Sequence, residues 1–278
     1  PASTSPAITS LNDKDLVFRT TPSDLYQGSV MARLLRSKGI DRIAITYVNN
    51  DYGKGFADAL AAAFLAAGGK IDANEPHEEG KADYRDHIRS LASSGVETLV
   101  VLAYANGSGQ TIIRQAVESG DFDQFVGGDG MVNDTLIGAI GADKLRGMIA
   151  TRPGVPNTKG ARVFKRLAWG DDLNPTATFA AQSYDAAFLL ALAIEKNGSA
   201  ERKGLSKALR AVASAPGEVI LPGEWQKAKA VLKAGKEINY EGATGSLEFD
   251  KAGDVPGVII ELGVYVNFGS FIEFGQIQ

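Results

Sequence analysis

Residues 42–55 read RIAITYVNNDYGKG, an apolar strand followed by a polar turn and a glycine-containing start of a helix. The same strand–turn–helix unit recurs downstream. Strands are predicted at Arg42–Val48, Lys70–Asn74, Thr98–Ala103, Gln124–Gly128 and Gly147–Thr151. Amphipathic helices are predicted between them, at Gly55–Ala67, Asp83–Ser94, Gly109–Ser119 and Asn133–Gly141. This alternation predicts an α/β fold with right-handed crossovers and a parallel sheet covered on both faces.

The second half of the chain is richer in helices than in strands. Helices are predicted at Asn157–Gly170, Thr176–Asn197 and Lys203–Val212, and strands at Glu218–Leu221, Gly245–Phe249 and Val258–Val266. Thr178–Ile194 is apolar around most of its circumference, so it needs a sheet to pack against. Either these helices share the first sheet, or further strands precede Pro1. The loop-like opening Pro1–Pro6, which leads to a predicted strand at Leu16–Arg19, favours the second explanation.

The composition is typical of a globular protein. Of its 278 residues, 44% are hydrophobic and 22% are charged, and the formal net charge is −4. Basic residues do not cluster; those between Arg33 and Arg42 predict a solvated helix face, which argues against a general nucleic-acid binder. The longest apolar run, Ala186–Ile194, is shorter than the roughly 20 residues that cross a bilayer. The lack of cysteine excludes disulfides and fits a bacterial periplasm as well as a cytosol.

Three predicted strand ends carry side chains that suit a small polar ligand. Tyr52 follows the first strand, Tyr104 the third and Asp129 the fourth. Ligands of doubly wound sheets bind beyond the carboxyl ends of the strands. Flanking glycines expose the Asp129 carboxylate, which can accept charge-assisted hydrogen bonds from an ammonium group. Each residue also has an ordinary structural explanation, such as a βα turn or an Asp that bonds its own backbone.

The sequence carries no motif that indicates an enzyme. There is no Gly-x-Ser-x-Gly elbow and no His-Glu-x-x-His zinc pair. His77 and His87 are the only histidines, and the polar stretch around them predicts solvated surface positions. Asn106–Gln110 and Lys54 could form an anion site of a doubly wound enzyme, but a helix start capped by Ser108 is the simpler interpretation. We therefore expect a binding protein without catalytic residues, cofactor or metal.

Seven short segments occur in a familiar order: STSPAITS (Ser3–Ser10), FRTTPSDLYQG (Phe18–Gly28), IAITYVNNDYGKG (Ile43–Gly55), GSGQTIIRQA (Gly107–Ala116), GGDG (Gly127–Gly130), SYDA (Ser183–Ala186) and YEGATGSLEF (Tyr240–Phe249). Together they resemble the periplasmic amino-acid-binding proteins of branched-chain amino-acid ABC transporters, which have the type I periplasmic binding fold. The resemblance covers essentially the whole chain.

That resemblance implies two lobes, each a doubly wound parallel sheet, joined by a three-strand hinge and closing on a ligand. Residues 1–23 and 152–245 would form the first lobe, and residues 24–151 and 246–278 the second. Family members begin with several βα units of the first lobe that have no counterpart before Pro1. The first lobe is therefore expected to be incomplete, which agrees with the shortage of predicted strands.

The resemblance also implies a ligand site, carried over residue by residue. Its members are Ala2, Ser3, Thr4, Tyr52, Tyr104, Asp129 and Phe179. The loop Ala2–Thr4 matches the segment that binds the ligand carboxylate. Asp129 matches the acidic residue that receives the α-ammonium, where leucine-type binders carry Glu. The shorter side chain keeps the charge and leaves more room for the ligand.

Aromatic residues complete the implied site. Tyr52 and Tyr104 match rings from the second lobe that close over the ligand, with Ala105 as a competing match for the latter. Phe179 matches an aromatic residue against the ligand side chain. The expected protein is a monomeric, periplasmic solute-binding protein, its signal peptide removed, that delivers an amino acid to an ABC transporter permease. The alternative is an amide- or amino-acid-sensing regulator or receptor domain of the same fold.

Overall fold

The computed structural model describes residues 1–277, and the chain divides into two compact units. Unit 1 comprises Pro1–Thr4, Ile8–Ser23 and Pro153–Val258. Unit 2 comprises Ser5–Ala7, Asp24–Arg152 and the chain from Ile259 onward. Within the described part of the chain, no helix is both long and apolar enough to cross a membrane.

The main elements alternate as the sequence predicts. The strands are β1 Arg42–Val48, β2 Lys70–His77, β3 Thr98–Leu102, β4 Gln124–Gly127, β5 Ile149–Pro153, β6 Glu218–Ile220, β7 Ile238–Gly242, β8 Gly245–Ser246, β9 Ile259–Tyr265 and β10 Ser270–Gln276. The helices are α1 Asp24–Ser37, α2 Asp51–Ala66, α3 Arg85–Ala92, α4 Ser108–Ser119, α5 Asp134–Ile140, α6 Lys159–Gly170, α7 Ala180–Asn197, α8 Leu205–Ala213 and α9 Trp225–Lys233. Two short 3-10 helices, Pro6–Ser10 and Asp129–Met131, join them.

Unit 2 is built on a seven-stranded sheet in the order β10-β9-β5-β4-β3-β1-β2. The pairs β1–β2, β1–β3, β3–β4 and β4–β5 are parallel, and β9–β10 is an antiparallel hairpin. The strand order reverses beside β1, because β2 pairs on one side of it and β3 on the other. This parallel sheet confirms the α/β prediction.

Alternate side chains of the central strands enter two separate cores. Ile43 and Ile45 face the core formed with α1 and α2, which includes Phe56 and Leu60. Ala44 lies between them in sequence and enters the opposite core, with side chains of α3, α4 and α5. Because the period of a strand is two, both faces of the sheet are apolar and both are covered by helices.

Unit 1 has its own three-stranded sheet, in the order β6-β7-β8. The helices α7, α8 and α9 pack on it through a core that contains Leu192, Val212, Ile220 and Tyr240. These helices therefore do not share the first sheet, which was one of the two explanations left open by the sequence.

A buried carboxylate ties α7 to the β7–β8 turn within unit 1. Asp185 accepts hydrogen bonds from the Tyr240 hydroxyl, the Ala243 amide and the Thr244 amide and hydroxyl, at 2.6–2.8 Å. Burial raises the pKa of Asp185, and these four donors oppose the rise. The SYDA and YEGATG segments of the sequence thus meet in this network.

Two sequence predictions differ from the structure of unit 1. Leu16–Arg19 is not a strand, because the carboxylate of Asp13 accepts the backbone N–H groups of Leu16 and Val17 and bends the chain. Residues 246–258 lie in unit 1 and not with unit 2, because Leu247 and Val255 belong to its core. The assignment of the units to lobes remains a prediction.

Candidate functional site

Unit 2 brings three of the predicted ligand residues together at the carboxyl ends of β1, β3 and β4. Tyr52 lies in the first turn of α2, Tyr104 between β3 and α4, and Asp129 directly after β4. The rings of Tyr52 and Tyr104 stack with centroids 5.5 Å apart. The Tyr52 hydroxyl lies 3.4 Å from Asp129 Oδ1. The three side chains therefore lie together at one edge of the sheet, and their role in ligand binding remains a prediction.

Two glycines near Tyr52, Gly53 and Gly130, lie where there is no space for a side chain. Asn50 caps α2 by accepting the amide of Gly53 at 2.9 Å. A Cβ on Gly53 would lie 2.2 Å from the carbonyl oxygen of Val48. A Cβ on Gly130 would lie 2.4 Å from the Ala103 carbonyl oxygen and 3.0 Å from the Tyr52 hydroxyl. These close approaches hold the tyrosine hydroxyl against the turn after β4.

The Asp129 carboxylate is almost fully buried, with 8% of the residue exposed. Its Oδ1 atom accepts from Gln27 Nε2 at 3.1 Å and, over 3.4 Å, from the Tyr52 hydroxyl. Burial raises the pKa of Asp129 to about 6, and both donors oppose that rise. The positive charge of a ligand's ammonium group would stabilise the ionised form of this buried carboxylate.

Burial and the neighbouring carboxylates both raise the pKa of Tyr52. Its pKa lies well above the usual value for tyrosine, because the hydroxyl is buried and Asp129 and Asp24 stand nearby. The hydroxyl is therefore neutral at physiological pH. It accepts the Gly130 amide at 3.2 Å and donates to Asp129, so it fixes the carboxylate relative to the glycine turn.

Of the two competing matches, it is Tyr104, and not Ala105, whose side chain stacks on the ring of Tyr52. Tyr104 is 37% exposed, and its hydroxyl accepts from Asn50 Nδ2 at 3.3 Å. Ala105 is buried in the core, and its amide donates to the Gly130 carbonyl at 2.9 Å. Ala105 thus holds the backbone in place through its amide, while the ring of Tyr104 remains partly exposed.

The other predicted ligand residues lie in unit 1. Ala2 and Ser3 are exposed, whereas Thr4 is buried. The carbonyl oxygens of Ser3 and Thr4 accept from Arg19 Nη1 at 3.3 and 3.1 Å, so these amide planes are held by a buried guanidinium. That guanidinium in turn pairs with both oxygens of Asp254.

Phe179 precedes α7 in a strained conformation. Its φ of 64° and ψ of 10° place it in the left-handed region, which is costly for an aromatic residue. The ring is half-buried. Backbone strain of this kind clusters at functional sites, so it supports a functional hypothesis for this position.

Two residues of the site were not predicted from the sequence. Gln27 is fully buried and donates to Asp129 and also to the carbonyl of Thr151, at 3.0 Å. Asn50 caps α2 and reaches Tyr104. The position of Asn50 directly before a helix was a signal for the second residue, whereas no local signal marked the first.

The residues proposed for a phosphate site have other partners. The amide of Ser108 donates to Glu79 Oε1 at 2.9 Å, and its hydroxyl donates to Glu79 Oε2. A carboxylate therefore occupies the start of α4, where a phosphate would bind. Lys54 pairs with Asp58 at 2.6 Å. These contacts weigh against an anion site of a doubly wound enzyme at these residues.

The prediction that both histidines are solvated is wrong. His77 is 4% exposed and lies between the hydroxyls of Thr46, 2.8 Å from Nδ1, and Ser108, 3.0 Å from Nε2. His87 is half-buried and lies 2.8 Å from the same threonine hydroxyl. Burial and the neighbouring His87 lower the pKa of His77 to about 4, so His77 is neutral at physiological pH. The polar sequence around these residues concealed a buried hydrogen-bond chain.

The doubly wound sheet and the site at its strand ends define a ligand-binding α/β protein. The chain belongs to the family described as "Receptor family ligand binding region", which it matches over residues 1–262. Its structure also resembles the crystal structure of a leucine-binding protein, LivK, from Thermotoga maritima. The TM-score is 0.78 at 22% identity, over 99% of this chain and 71% of that chain. The fold is therefore that of type I periplasmic binding proteins.

Two curated relatives align with nearly the whole chain. The chemotactic signal transduction system substrate-binding protein BasB of Halobacterium salinarum is 26% identical over 94% of this chain. The Leu/Ile/Val-binding protein BraC3 of Rhizobium johnstonii is 30% identical over 92% of it. The chain spans 62% of the length of each of these relatives.

Proposed function

We propose that this chain is part of an extracytoplasmic solute-binding protein that captures an amino acid, branched-chain or related, for an ABC importer. The observation that carries the proposal is the nearly buried Asp129 carboxylate beside the stacked rings of Tyr52 and Tyr104. A carboxylate in such surroundings favours a cationic partner, and the rings offer apolar surface for a side chain. The similarity to BraC3, a Leu/Ile/Val-binding protein, supports the same ligand class.

Each site residue has a role in this proposal. Asp129 receives the α-ammonium, while Gln27 and Tyr52 hold its orientation. Ala2, Ser3 and Thr4 bind the ligand carboxylate through backbone amides and hydroxyls. Tyr104 and Phe179 contact the ligand side chain. No bond is made or broken, since the work of the protein is ligand capture and release.

The proposed setting follows from that role. The protein would act as a monomer in the periplasm after removal of a signal peptide, and its ligand-bound form would be recognised by the importer's permease. A ligand increases the population of the protein conformation that it binds best, and the permease would recognise that conformation.

A sensing role is the second candidate, and the similarity to BasB favours it. In that role the same site binds an amide or an amino acid, and the bound form signals to a receptor instead of a permease. Ligand affinity cannot separate these two functions. Uptake of radiolabelled ligand by a deletion strain, compared with its chemotactic response, would separate them.

The test of the ligand class is a thermal-shift screen of the full-length protein against the common amino acids, small amides, and aromatic and aliphatic acids. A ligand at 100 times its dissociation constant adds roughly 2.7 kcal/mol to the free energy of unfolding. We expect shifts with amino acids alone. Stabilisation only by acids that lack an ammonium group would contradict the role of Asp129.

Asp129→Asn is the matching variant, because it keeps the shape of the side chain and removes its charge. Affinity for the amino acid should fall roughly 10- to 100-fold, the value of a hydrogen bond to a charged group. Asp143→Asn is the control, since its carboxylate is exposed and pairs with Arg146 on the surface. Equal affinity in Asp129→Asn and the parent protein would remove Asp129 from the site.

A further inference from the structure

Unit 1 contains a second concave site that has no part in the proposed amino-acid binding. Its volume is about 530 Å³, within the range of small-molecule pockets. It is formed by the last turn of α7, one face of α9 and the turn from α9 to β7. The lining residues that carry the argument are Lys196, Lys229, Lys233, Lys236, Glu195 and Glu237.

The charge of this cavity is opposite to that of the whole chain. Four lysines and two glutamates leave the lining with a net charge of +2, whereas the protein carries −4. The sequence prediction that basic residues do not cluster is therefore wrong for unit 1. The cluster was concealed because Lys196 lies more than thirty residues before Lys229 and joins it only through the packing of α7 and α9.

Most of these ammonium groups are not neutralised by the protein. Lys196 pairs with Glu237 at 2.5 Å. Lys229 Nζ lies 5.9 Å from the centre of the Trp225 ring. Among residues 1–277, no carboxylate lies within ion-pair distance of Lys229, Lys233 or Lys236.

Helix stabilisation explains only part of the cluster. Lys196 and Lys233 lie in the last turns of α7 and α9, where a cation interacts well with the helix dipole. Lys229 is one turn earlier on α9, and it stands four residues from Lys233 on the same face. Like charges at this spacing destabilise a helix. Lys236 follows Gly235, which has a left-handed φ of 70°, and both residues line the cavity.

We propose that this cavity binds a small polyanion, such as a polyphosphate or polycarboxylate group with several anionic oxygens. Lysines bind phosphate and carboxylate oxygens as point charges, and three unneutralised ammonium groups around one cavity match a ligand that carries at least two negative charges. Because Glu195 and Glu237 reduce the net charge of the lining to +2, a singly charged anion should be attracted less than a polyanion. The ligand class is the reverse of that expected at Asp129, which requires a cation.

The fluorescence of Trp225 gives a local readout. The chain has two tryptophans, and Trp169→Phe leaves Trp225 as the only one. In that background, titration of the full-length protein with inorganic tripolyphosphate at low salt should change the emission with single-site saturation. The affinity should fall as salt is added, because the interaction is electrostatic and exposed to solvent. No saturable change would overturn the proposal.

A lysine pair elsewhere in unit 1 provides the matched control. Lys229→Gln with Lys233→Gln should weaken tripolyphosphate binding about tenfold. Lys203→Gln with Lys207→Gln removes two exposed lysines with the same spacing, outside the cavity, and should leave binding unchanged. Equal losses in both double variants would show nonspecific attraction only, and would overturn the site.

Two further measurements exclude other causes. Equal melting temperatures for the two double variants ensure that a loss of binding is not a loss of fold. Vesicles containing phosphatidylglycerol test a membrane surface as the anion source. Vesicle binding that depends on Lys229 and Lys233, without binding of free tripolyphosphate, would contradict a small-molecule cavity. Leucine affinity should be the same in all variants, which separates this site from the proposed amino-acid site.

Discussion

Tyr52 and Asp129 stand 77 positions apart in the chain, yet the tyrosine hydroxyl and the Asp129 carboxylate meet over 3.4 Å. The same hydroxyl accepts the Gly130 amide at 3.2 Å. One phenol therefore connects the start of α2 with the turn after β4. Because a hydrogen bond to a charged group is stronger than a neutral one, this contact stabilises the ionised carboxylate that an ammonium ligand needs.

Tyr52→Phe should weaken amino-acid binding while preserving the ring that stacks on Tyr104. The hydroxyl donates to the carboxylate over a long 3.4 Å, so its loss should cost only about 0.5–1.5 kcal/mol, or roughly 2- to 10-fold in affinity. Isothermal titration with the best amino acid from the screen measures the change. Tyr265→Phe removes a hydroxyl from the β9–β10 hairpin and should bind as the parent does. A Tyr52→Phe protein of unchanged affinity would show that this contact does not orient Asp129.

Amino-acid affinity should fall as the pH is lowered through 6. The pKa of Asp129 is about 6 in the free protein, so about one carboxylate in ten remains ionised at pH 5. An α-ammonium group stays charged throughout this range and needs the ionised form. We expect affinity about tenfold lower at pH 5 than at pH 7.5. Asp129→Asn should bind weakly with a flat profile, and a parent profile equally flat would contradict the assignment.

The βα units of unit 2 could be predicted because their signal is local. β1 has the predicted bounds Arg42–Val48, since a run of apolar and β-branched residues ends at two asparagines. β7 and α9 were missed. β7 has only five residues, and α9 has a short amphipathic pattern of only nine residues. Tertiary packing decides such short elements more than their local sequence does.

The candidate site could be predicted in part for the same reason. Tyr52, Tyr104 and Asp129 follow strands directly, so topology alone places them at one edge. Gln27 could not be assigned, because its bond to Asp129 joins residues 102 positions apart. The burial of His77 was missed because it depends on Thr46 and Ser108, which lie on other elements.

His77 should make the protein less stable as the pH falls from about 6.5 to about 4. Its pKa is lowered from 6.5 to about 4, so the unfolded chain binds more protons than the folded protein in this window. The free energy of unfolding should therefore decrease on acidification, by at most about 3 kcal/mol from this group. Urea denaturation at several pH values, for the parent and His77→Gln, gives the difference.

The parent and His77→Gln must be compared because the raised pKa of Asp129 has the opposite effect on the pH dependence of stability. Its raised pKa means that the folded protein binds more protons between pH 3.8 and about 6, so this group adds stability on acidification. Asp129 is common to both proteins, so its contribution cancels in the difference. His77→Gln should be less stable at pH 7.5 but show a weaker loss below pH 6.5. Parallel curves would show that His77 is not the acid-sensitive group.

Phe179→Gly should decrease ligand affinity with little change in stability. Glycine adopts a φ of 64° without the roughly 1–2 kcal/mol cost of a Cβ, but it loses the apolar burial of a half-buried ring and adds backbone entropy to the unfolded chain, so these effects should roughly offset each other in the free energy of unfolding. Removal of the ring takes away the proposed contact with the ligand side chain. Asp172→Gly is the control, since Asp172 has a φ of 56° but a residue type that tolerates this region, and both its stability and its affinity should change little. Urea denaturation and isothermal titration measure the two quantities. A Phe179→Gly protein that is folded and keeps its full affinity would leave this position without a role in binding.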